Sequence, residues 1–307
     1  MSAAIPLILG PTGAGKTDLA LRLAERHNLE IVSVDSAMVY RGMDIGTGKP
    51  SPQVLRRHPH HLVDILDPLQ AYSAGRFVRD ARRAIDDIRS RGKLPLLVGG
   101  TMLYFRALRR GLADMPPADA GVRAAIDADA ALRGWPALHA ELAALDPQSA
   151  RRIQPNDAQR IQRALEVHRL TGKTLTELHA VQPANADLTF AAYAWVPGER
   201  ERLYAAIEQR FHAMLRAGLL EEIGKLHARG DLHADLPAIR CVGYRQLWEH
   251  LSGRDTLDSA TQRAIFATRH LARRQLIWLR AEPDIQWFDA LESGAGAHME
   301  HAITQLQ

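Results

Sequence analysis

The segment Gly10, Pro11, Thr12, Gly13, Ala14, Gly15, Lys16, Thr17 follows the spacing G-x-x-x-x-G-K-[ST], a set of residues able to grip a phosphate. Its glycines let successive backbone N–H groups converge on phosphate oxygens, and a helix starting there presents its positive end to the same anion. Lys16 offers a point charge to a terminal phosphate, and Thr17 offers a hydroxyl that can ligate Mg²⁺. A second chemical group is Asp35, followed by Ser36, at the end of an apolar stretch. A carboxylate there can serve as metal ligand, general base or helix N-cap, and position alone does not choose among them. A nucleotide-hydrolysing enzyme would also carry an aspartate after a second apolar strand to hold Mg²⁺, but the stretch Leu94 to Val98 ends in Gly99 and Gly100.

These residues need a scaffold that brings them together, and the first hundred residues supply its pattern. Short apolar runs over 5–9, 30–34 and 94–98 alternate with helical stripes over 16–27 and 76–91, which predicts a parallel sheet with crossover helices. Ligands in such sheets bind at the carboxyl ends of the strands, so Asp35 is expected in the same crevice as Lys16. From Met115 the pattern changes. Alanine, arginine and acidic residues dominate, and Pro136, Pro147 and Pro155 punctuate short helices. The reading is a P-loop-type α/β core over 1–114 and 188–307, with a helical insertion over 115–187. Residues 188–196 are expected to return to the sheet, and everything from Glu199 onward is expected to be helical, with Leu276, Ile277 and Trp278 in the core.

Composition narrows the class. With 307 residues, 46% hydrophobic and 24% charged, the chain can bury a sizeable core, and no apolar run approaches the length of a membrane span. A single cysteine, Cys241, excludes an internal disulfide framework, and the expected location is a reducing cytoplasm with no signal peptide at the N-terminus. Net charge is +4, but its distribution says more. Six basic residues against two acidic ones lie between Arg151 and Lys173, and five arginines with no acidic residue lie between Thr261 and Arg280. Two such segments suggest a polyanionic partner, although each alone could be an ordinary solvated helix face. His58, His60 and His61 form no ligand set, because neighbours on a strand point to opposite faces and no cysteine or carboxylate pair completes them.

Beyond these features the sequence resembles the bacterial tRNA dimethylallyltransferases (tRNA isopentenyltransferases), in ordered segments spread over nearly the whole chain. They are Gly10 to Thr17; Asp35 to Arg41 through Gly46, Thr47, Gly48, Lys49 and Pro50; His60 to Asp64; Gly99 to Tyr104; Asp157 to Arg163; and Arg240 to Gln246. The resemblance implies transfer of a dimethylallyl group from its diphosphate to N6 of the adenosine 3′ of the anticodon, position 37, in tRNAs reading codons that begin with U. It implies that residues 10–17 hold the prenyl diphosphate, that Asp35 is the general base with Lys16 and Thr101 at the reaction centre, and that Mg²⁺ sits near Thr17. It places tRNA contacts on Asp35, Ser36, Ala37, Met38, Thr101 and Arg123, on Gln159, Arg160, Ile161, Gln162 and Arg163, and on Arg240, Cys241, Val242, Gly243, Tyr244 and Arg245. The expected partners are the anticodon stem-loop and dimethylallyl diphosphate, with the chain acting as a monomer.

Helical geometry bears separately on one of these segments. On a helix starting near Asn156, Ile161, Ala164 and Leu165 share one face while Gln159, Gln162 and Arg163 share the other. Rival readings of the loop are a small-molecule kinase using ATP, a prenyltransferase acting on free adenylate, and a non-enzymatic RNA-binding switch. The kinase has no counterpart for the other segments, the adenylate enzyme has less need of a basic helical insertion, and the switch has no use for Asp35.

Overall fold

The computed structural model describes residues 4–113, 115–181 and 187–306. Residue 114, where the sequence places one domain boundary, and residues 182–186 beside the other lie outside the described residues. The chain divides into two compact units, Met1–Arg109 with Ala186–Gln307, and Arg110–Asn185. In order, the first unit begins with β1 (Ile5–Leu9), α1 (Lys16–Arg26), β2 (Leu29–Val34), α2 (Pro52–Arg57), β3 (His60–His61), α3 (Ala74–Ser90), β4 (Leu94–Gly99) and α4 (Met102–Arg110). The second unit holds α5 (Ala120–Arg133), α6 (Trp135–Leu145), α7 (Pro147–Arg152), α8 (Ala158–Thr171) and α9 (Leu175–Ala180). The chain then returns through β5 (Phe190–Val196), α10 (Arg200–Arg216), α11 (Leu219–His227), α12 (Tyr244–Leu251), α13 (Leu257–Arg280), β6 (Ile285–Asp289) and α14 (Ala295–Thr304).

The strands form one parallel sheet in the order β3-β2-β4-β1-β5-β6. Strands β1 and β2 are buried along their whole length, so both are rich in apolar residues, and β2 also buries Glu30 and Ser33. Helices cover both faces. On one, Leu19, Ala20 and Leu23 of α1 pack with Ile8, Ile31, Leu96 and Val98, and with Ala295 and Met299 of α14. On the other, α3 is capped by Ser73, whose hydroxyl accepts the Arg76 N–H, and it buries Phe77, Ala81, Ala84, Ile85 and Ile88 on one stripe. Phe77 stacks on Tyr104 of α4 with ring centroids 4.4 Å apart. Burying such a side chain is worth about 2–3 kcal/mol.

The helical unit has its own core of Ile126, Ala130, Leu138, Leu142, Ile161, Ala164 and Leu165. Glu166, fully buried, accepts hydrogen bonds from Arg123 Nε at 2.8 Å and Arg163 Nη1 at 2.6 Å. Burial alone would raise its pKa, but these guanidinium contacts outweigh burial and hold it below the ordinary glutamate range.

Two expectations need correction. The tail beyond Glu199 is not wholly helical: Ile285–Asp289 is the edge strand β6, paired in parallel with β5 through Ala192↔Ile285 and Val196↔Asp289. No apolar run marks it: at the sheet edge Gln286 and Trp287, which point to opposite faces, are both exposed, and Asp289 ends the strand. Ile277 is not core but 53% exposed, while Trp278 is half-buried under the Arg106 guanidinium, 4.3 Å from its ring centroid.

Candidate active site

Three strand ends meet at one level of the sheet. The registers Leu9↔Gly99 and Val34↔Gly99 align the ends of β1, β4 and β2, so the loop 10–17, Asp35 and the Gly100–Thr101 corner emerge side by side. They open on a cavity of about 510 Å³ whose lining includes Thr12, Lys16, Thr17, Asp35, Gly100, Arg210 and Gln275. The phosphate loop enters α1 through Gly15, whose φ of +78° is the left-handed conformation that a side chain would strain. The free N–H groups of the first turn of α1 therefore face the cavity end of the loop.

The electrostatics of this cavity suit an anion. Lys16 Nζ donates to the Pro11 carbonyl at 2.7 Å. Burial pushes its pKa down to about 8, against a raising pull from Asp35 and a further lowering by Arg210. Arg210, on α10, is likewise lowered by burial and drawn the other way by Asp35 and Asp18. Two cations held in a partly dehydrated pocket without a bidentate carboxylate partner are a ready receptor for a diphosphate. Thr17 lines the same cavity, and no cluster of three or more His, Cys, Asp or Glu side chains able to hold a metal occurs among the described residues. The donor set thus fits a Mg²⁺ ion carried largely by phosphate oxygens and water, with one protein hydroxyl, and not a metal caged by protein.

Asp35 does two things at once. Its Oδ1 accepts the N–H groups of Ala37 at 2.7 Å and Met38 at 3.2 Å in an Asx-type turn; the helix N-cap reading fails, because the next helix begins only at Pro52. Its charge also couples to Lys16, Arg210, Tyr104 and Cys241 around the cavity. Thr101 anchors the same turn: its Oγ1 accepts the Ser36 N–H at 3.1 Å, and its own N–H donates to Val34 O at 3.2 Å. Cys241, half-buried, has a thiol pushed up to about 12 by burial and by Asp35, which makes it inert as a nucleophile at neutral pH.

The expected RNA-contact residues divide by exposure. Ser36, Gln159, Arg160, Arg240 and Arg245 are exposed, while Ala37, Met38, Gln162, Val242 and Cys241 are partly so. Ile161 and Tyr244 have no exposed surface and Gly243 is buried, so these three pack beneath the surface of the segments they belong to. Arg123 and Arg163 are engaged on Glu166, and Gln162 donates to Asp127 at 2.6 Å.

Two cavity residues were not anticipated. Arg210 and Gln275 each sit on the apolar stripe of a helix, Arg210 beside buried Ile207 and Phe211, Gln275 beside buried Ala272 and Leu279. A polar residue at a core-facing helical position is the signal that would have found both. Gln275 bridges the site: its Oε1 accepts the Thr12 N–H at 2.9 Å, and its Nε2 donates to Gly100 O at 2.8 Å. Of the histidines, His60 lines the cavity wall and bonds through Nδ1 to His58 O at 2.7 Å, while His61 contacts Glu30 at 2.7 Å.

Comparison with known proteins agrees with this geometry. Residues 38–282 match the family described as IPP transferase, and residues 3–62 match one described as isopentenyl transferase. A tRNA dimethylallyltransferase of Bordetella petrii is 53% identical over 311 residues, covering 100% of this chain and 99% of its own. The structure of a full-length tRNA isopentenylpyrophosphate transferase from Bacillus halodurans superposes with a TM-score of 0.72 at 35% identity, covering 99% of this chain and 97% of that one. A eukaryotic dimethylallyltransferase acting on tRNA gives a TM-score of 0.81 at 27% identity, covering 98% of this chain and 78% of that one. With a matching family over most of its length and a close relative over all of it, the chain belongs to the IPP transferase family.

Proposed function

We propose that the chain, a tRNA dimethylallyltransferase by family, holds the diphosphate of dimethylallyl diphosphate in the loop 10–17 and delivers the prenyl group to N6 of the adenosine at position 37 of the tRNA. The observation that carries this reading is the placement of Asp35 in the same cavity as Lys16 and Arg210. N6 attacks C1 of the allyl group, the C1–O bond breaks, pyrophosphate leaves, and the N6 proton passes to Asp35. Lys16, Arg210 and the amides of the loop stabilise the charge that grows on the leaving group. Mg²⁺ held at Thr17 would neutralise part of that charge. The aspartate that a nucleotide hydrolase carries after its second apolar strand is missing here because no nucleotide has to be hydrolysed.

The acceptor base must leave its stack to reach the strand ends, at a cost of a few kcal/mol. Ser36, Ala37 and Met38 lie beside Asp35 and are placed to meet it. In the helical unit the exposed face of α8, with Gln159 and Arg160, is suited to an opened RNA loop, where sequence is read from unstacked bases. We take the enzyme to act as a monomer. No helix among the described residues is long and apolar enough to cross a membrane, and we assign the enzyme to the cytoplasm, where its tRNA substrate is found.

Labelled dimethylallyl diphosphate with Mg²⁺, offered unmodified tRNA, AMP or no acceptor, tests the reading. Transfer to tRNA alone is expected. Transfer to AMP would mark an adenylate prenyltransferase, and ATP turnover without prenyl transfer would overturn the assignment.

A further inference from the structure

Part of the cavity wall is built by the end of the segment 44–50, which is held in place by two separate ties. Thr47, Gly48, Lys49 and Pro50 line the cavity. Its one strong cation, Lys49, is already spent. Its ammonium bonds to Tyr40 O at 2.9 Å, to Asp44 Oδ1 at 2.5 Å and to the Asp64 carboxylate, and only 2% of its side chain is exposed. Lys49 therefore ties the segment down and does not reach for a phosphate.

The other tie comes from far along the chain. The carboxylate of Glu222, on α11, accepts three consecutive backbone N–H groups: Asp44 at 2.9 Å, Ile45 at 2.7 Å and Gly46 at 3.2 Å. It also accepts the hydroxyl of fully buried Tyr244 at 2.5 Å. Four donors converging on one carboxylate form an anion nest made of the protein's own charge, and only an acceptor on both oxygens satisfies them. The Tyr244 ring lies directly against Gly46, where a Cβ would come within 2.5 Å of the ring. The turn closes with Gly48 N–H on Ile45 O at 3.0 Å and Thr47 Oγ1 on Met43 O at 2.7 Å. Gly48, at φ +67°, then packs so tightly on Arg210 that a Cβ would fall 2.0 Å from the guanidinium Nη2.

We propose that Glu222 is a positioning residue for the prenyl donor: by gathering the N–H groups of 44–46 and the Tyr244 hydroxyl, it fixes the turn that seats Arg210 against the diphosphate. The inference rests on the reading of the cavity as the donor site. Glu222 touches no substrate. Its influence runs through the backbone of 44–48 to Arg210, so it acts on donor binding and not on the proton transfer at Asp35 or on tRNA docking.

The test uses the full chain and dimethylallyl diphosphate. In Glu222→Gln one oxygen becomes an NH₂ that faces donors, so part of the nest is broken with almost no change in volume. Donor KM is expected to rise about 10- to 100-fold, the range that follows from losing charge-assisted hydrogen bonds. The kcat at saturating donor should fall by less than KM rises, because Arg210 also meets the leaving group, and tRNA Kd should be unchanged. Tyr244→Phe removes one of the four donors and should raise KM less. Thermal melting of both variants checks that they fold. A folded Glu222→Gln enzyme with wild-type donor KM overturns the proposal, as does one whose defect lies in tRNA Kd or in kcat alone. If Glu222→Gln does not fold, Tyr244→Phe decides in its place, and an unchanged donor KM there overturns it. Failure of the underlying donor reading shows separately, as absence of transfer from dimethylallyl diphosphate by the wild-type chain.

Discussion

Lys16 Nζ donates to the carbonyl oxygen of Pro11 at 2.7 Å, so the cation of the phosphate loop is parked on the loop's own backbone. A diphosphate entering the loop gives it a far better acceptor, and the charge it meets is only marginally held. Burial brings the pKa of Lys16 down to about 8. In the free enzyme kcat/KM for the donor should therefore fall above pH 8, approaching about tenfold per pH unit, because that ratio reports free-enzyme ionisations. A profile flat to pH 9.5 would show that Lys16 keeps its proton and that burial is not what governs it.

The same shift sets the sign of a stability effect. Unfolded, Lys16 titrates at 10.5; folded, at about 8. Below pH 8 both states carry the proton and the penalty for burying the charge is complete. Between 8 and 10.5 the unfolded state binds more protons, so stability rises with pH, and above 10.5 the penalty is gone. Lys16→Met should accordingly melt above the wild type at pH 7, with the gap closing as pH passes through that window, although transfer is lost by about 100-fold or more. An equal or lower melting temperature at pH 7 would count against the buried-charge account.

Asp35→Asn separates the two duties of Asp35. Asparagine keeps an acceptor for the Ala37 and Met38 N–H groups but cannot take a proton from N6. The expected result is a loss of about 10²- to 10⁴-fold in kcat with tRNA Kd unchanged. Asp35→Ala should add loss of the two turn hydrogen bonds, about 1 kcal/mol of local stability. Comparable losses in kcat and tRNA affinity in the asparagine variant would make Asp35 a positioning group.

Much of this site was legible in the sequence because its groups lie at strand ends. The apolar runs of β1, β2 and β4 locate those ends to within a residue, and the loop 10–17 and Asp35 follow directly, while Thr101 was marked only by the family resemblance. What was not legible came from elements whose signal is weak or remote. Strand β6 lies at a sheet edge and carries exposed Gln286 and Trp287 and a closing Asp289, so no apolar run marks it. Arg210, Glu222 and Gln275 reach the site from helices 162 or more residues beyond the loops they contact, from Arg210 against Gly48 to the bond from Gln275 to Gly100. Ile161 and Tyr244 belong to segments with the right family spelling, yet spelling does not distinguish a residue that touches RNA from one that packs beneath it.

Gln275 makes a fourth prediction. Its amide holds Thr12 of the phosphate loop and Gly100 of the β4 corner by a donor and an acceptor at once. Gln275→Glu keeps the size but puts an acceptor against Gly100 O and a negative charge beside the diphosphate. Donor KM should rise by about tenfold or more, and Gln275→Ala should show a smaller rise. Measured Kd for a non-hydrolysable donor analogue checks it; wild-type values in both variants would leave the bridge without a role in donor binding.

The helical unit offers a contrast between two arginines. Arg123 and Arg163 neutralise Glu166, which has no exposed surface. Removing one partner leaves a buried charge incompletely paired, and because the guanidinium of Arg123 is partly solvated the loss should sit near the low end of the usual range, about 3 kcal/mol. Arg123→Ala should thus weaken tRNA binding by loosening the unit, visible as faster proteolysis within 110–185 and a lower melting temperature. Arg160, 66% exposed and paired only locally with Asp157, should behave otherwise. Arg160→Ala should leave stability within about 0.5 kcal/mol of wild type. Its tRNA Kd should rise, with the slope of log K against log salt reduced by about one unit if the side chain meets a phosphate. Arg123→Ala that binds tRNA poorly at unchanged stability would reverse the assignment and place its guanidinium on the RNA.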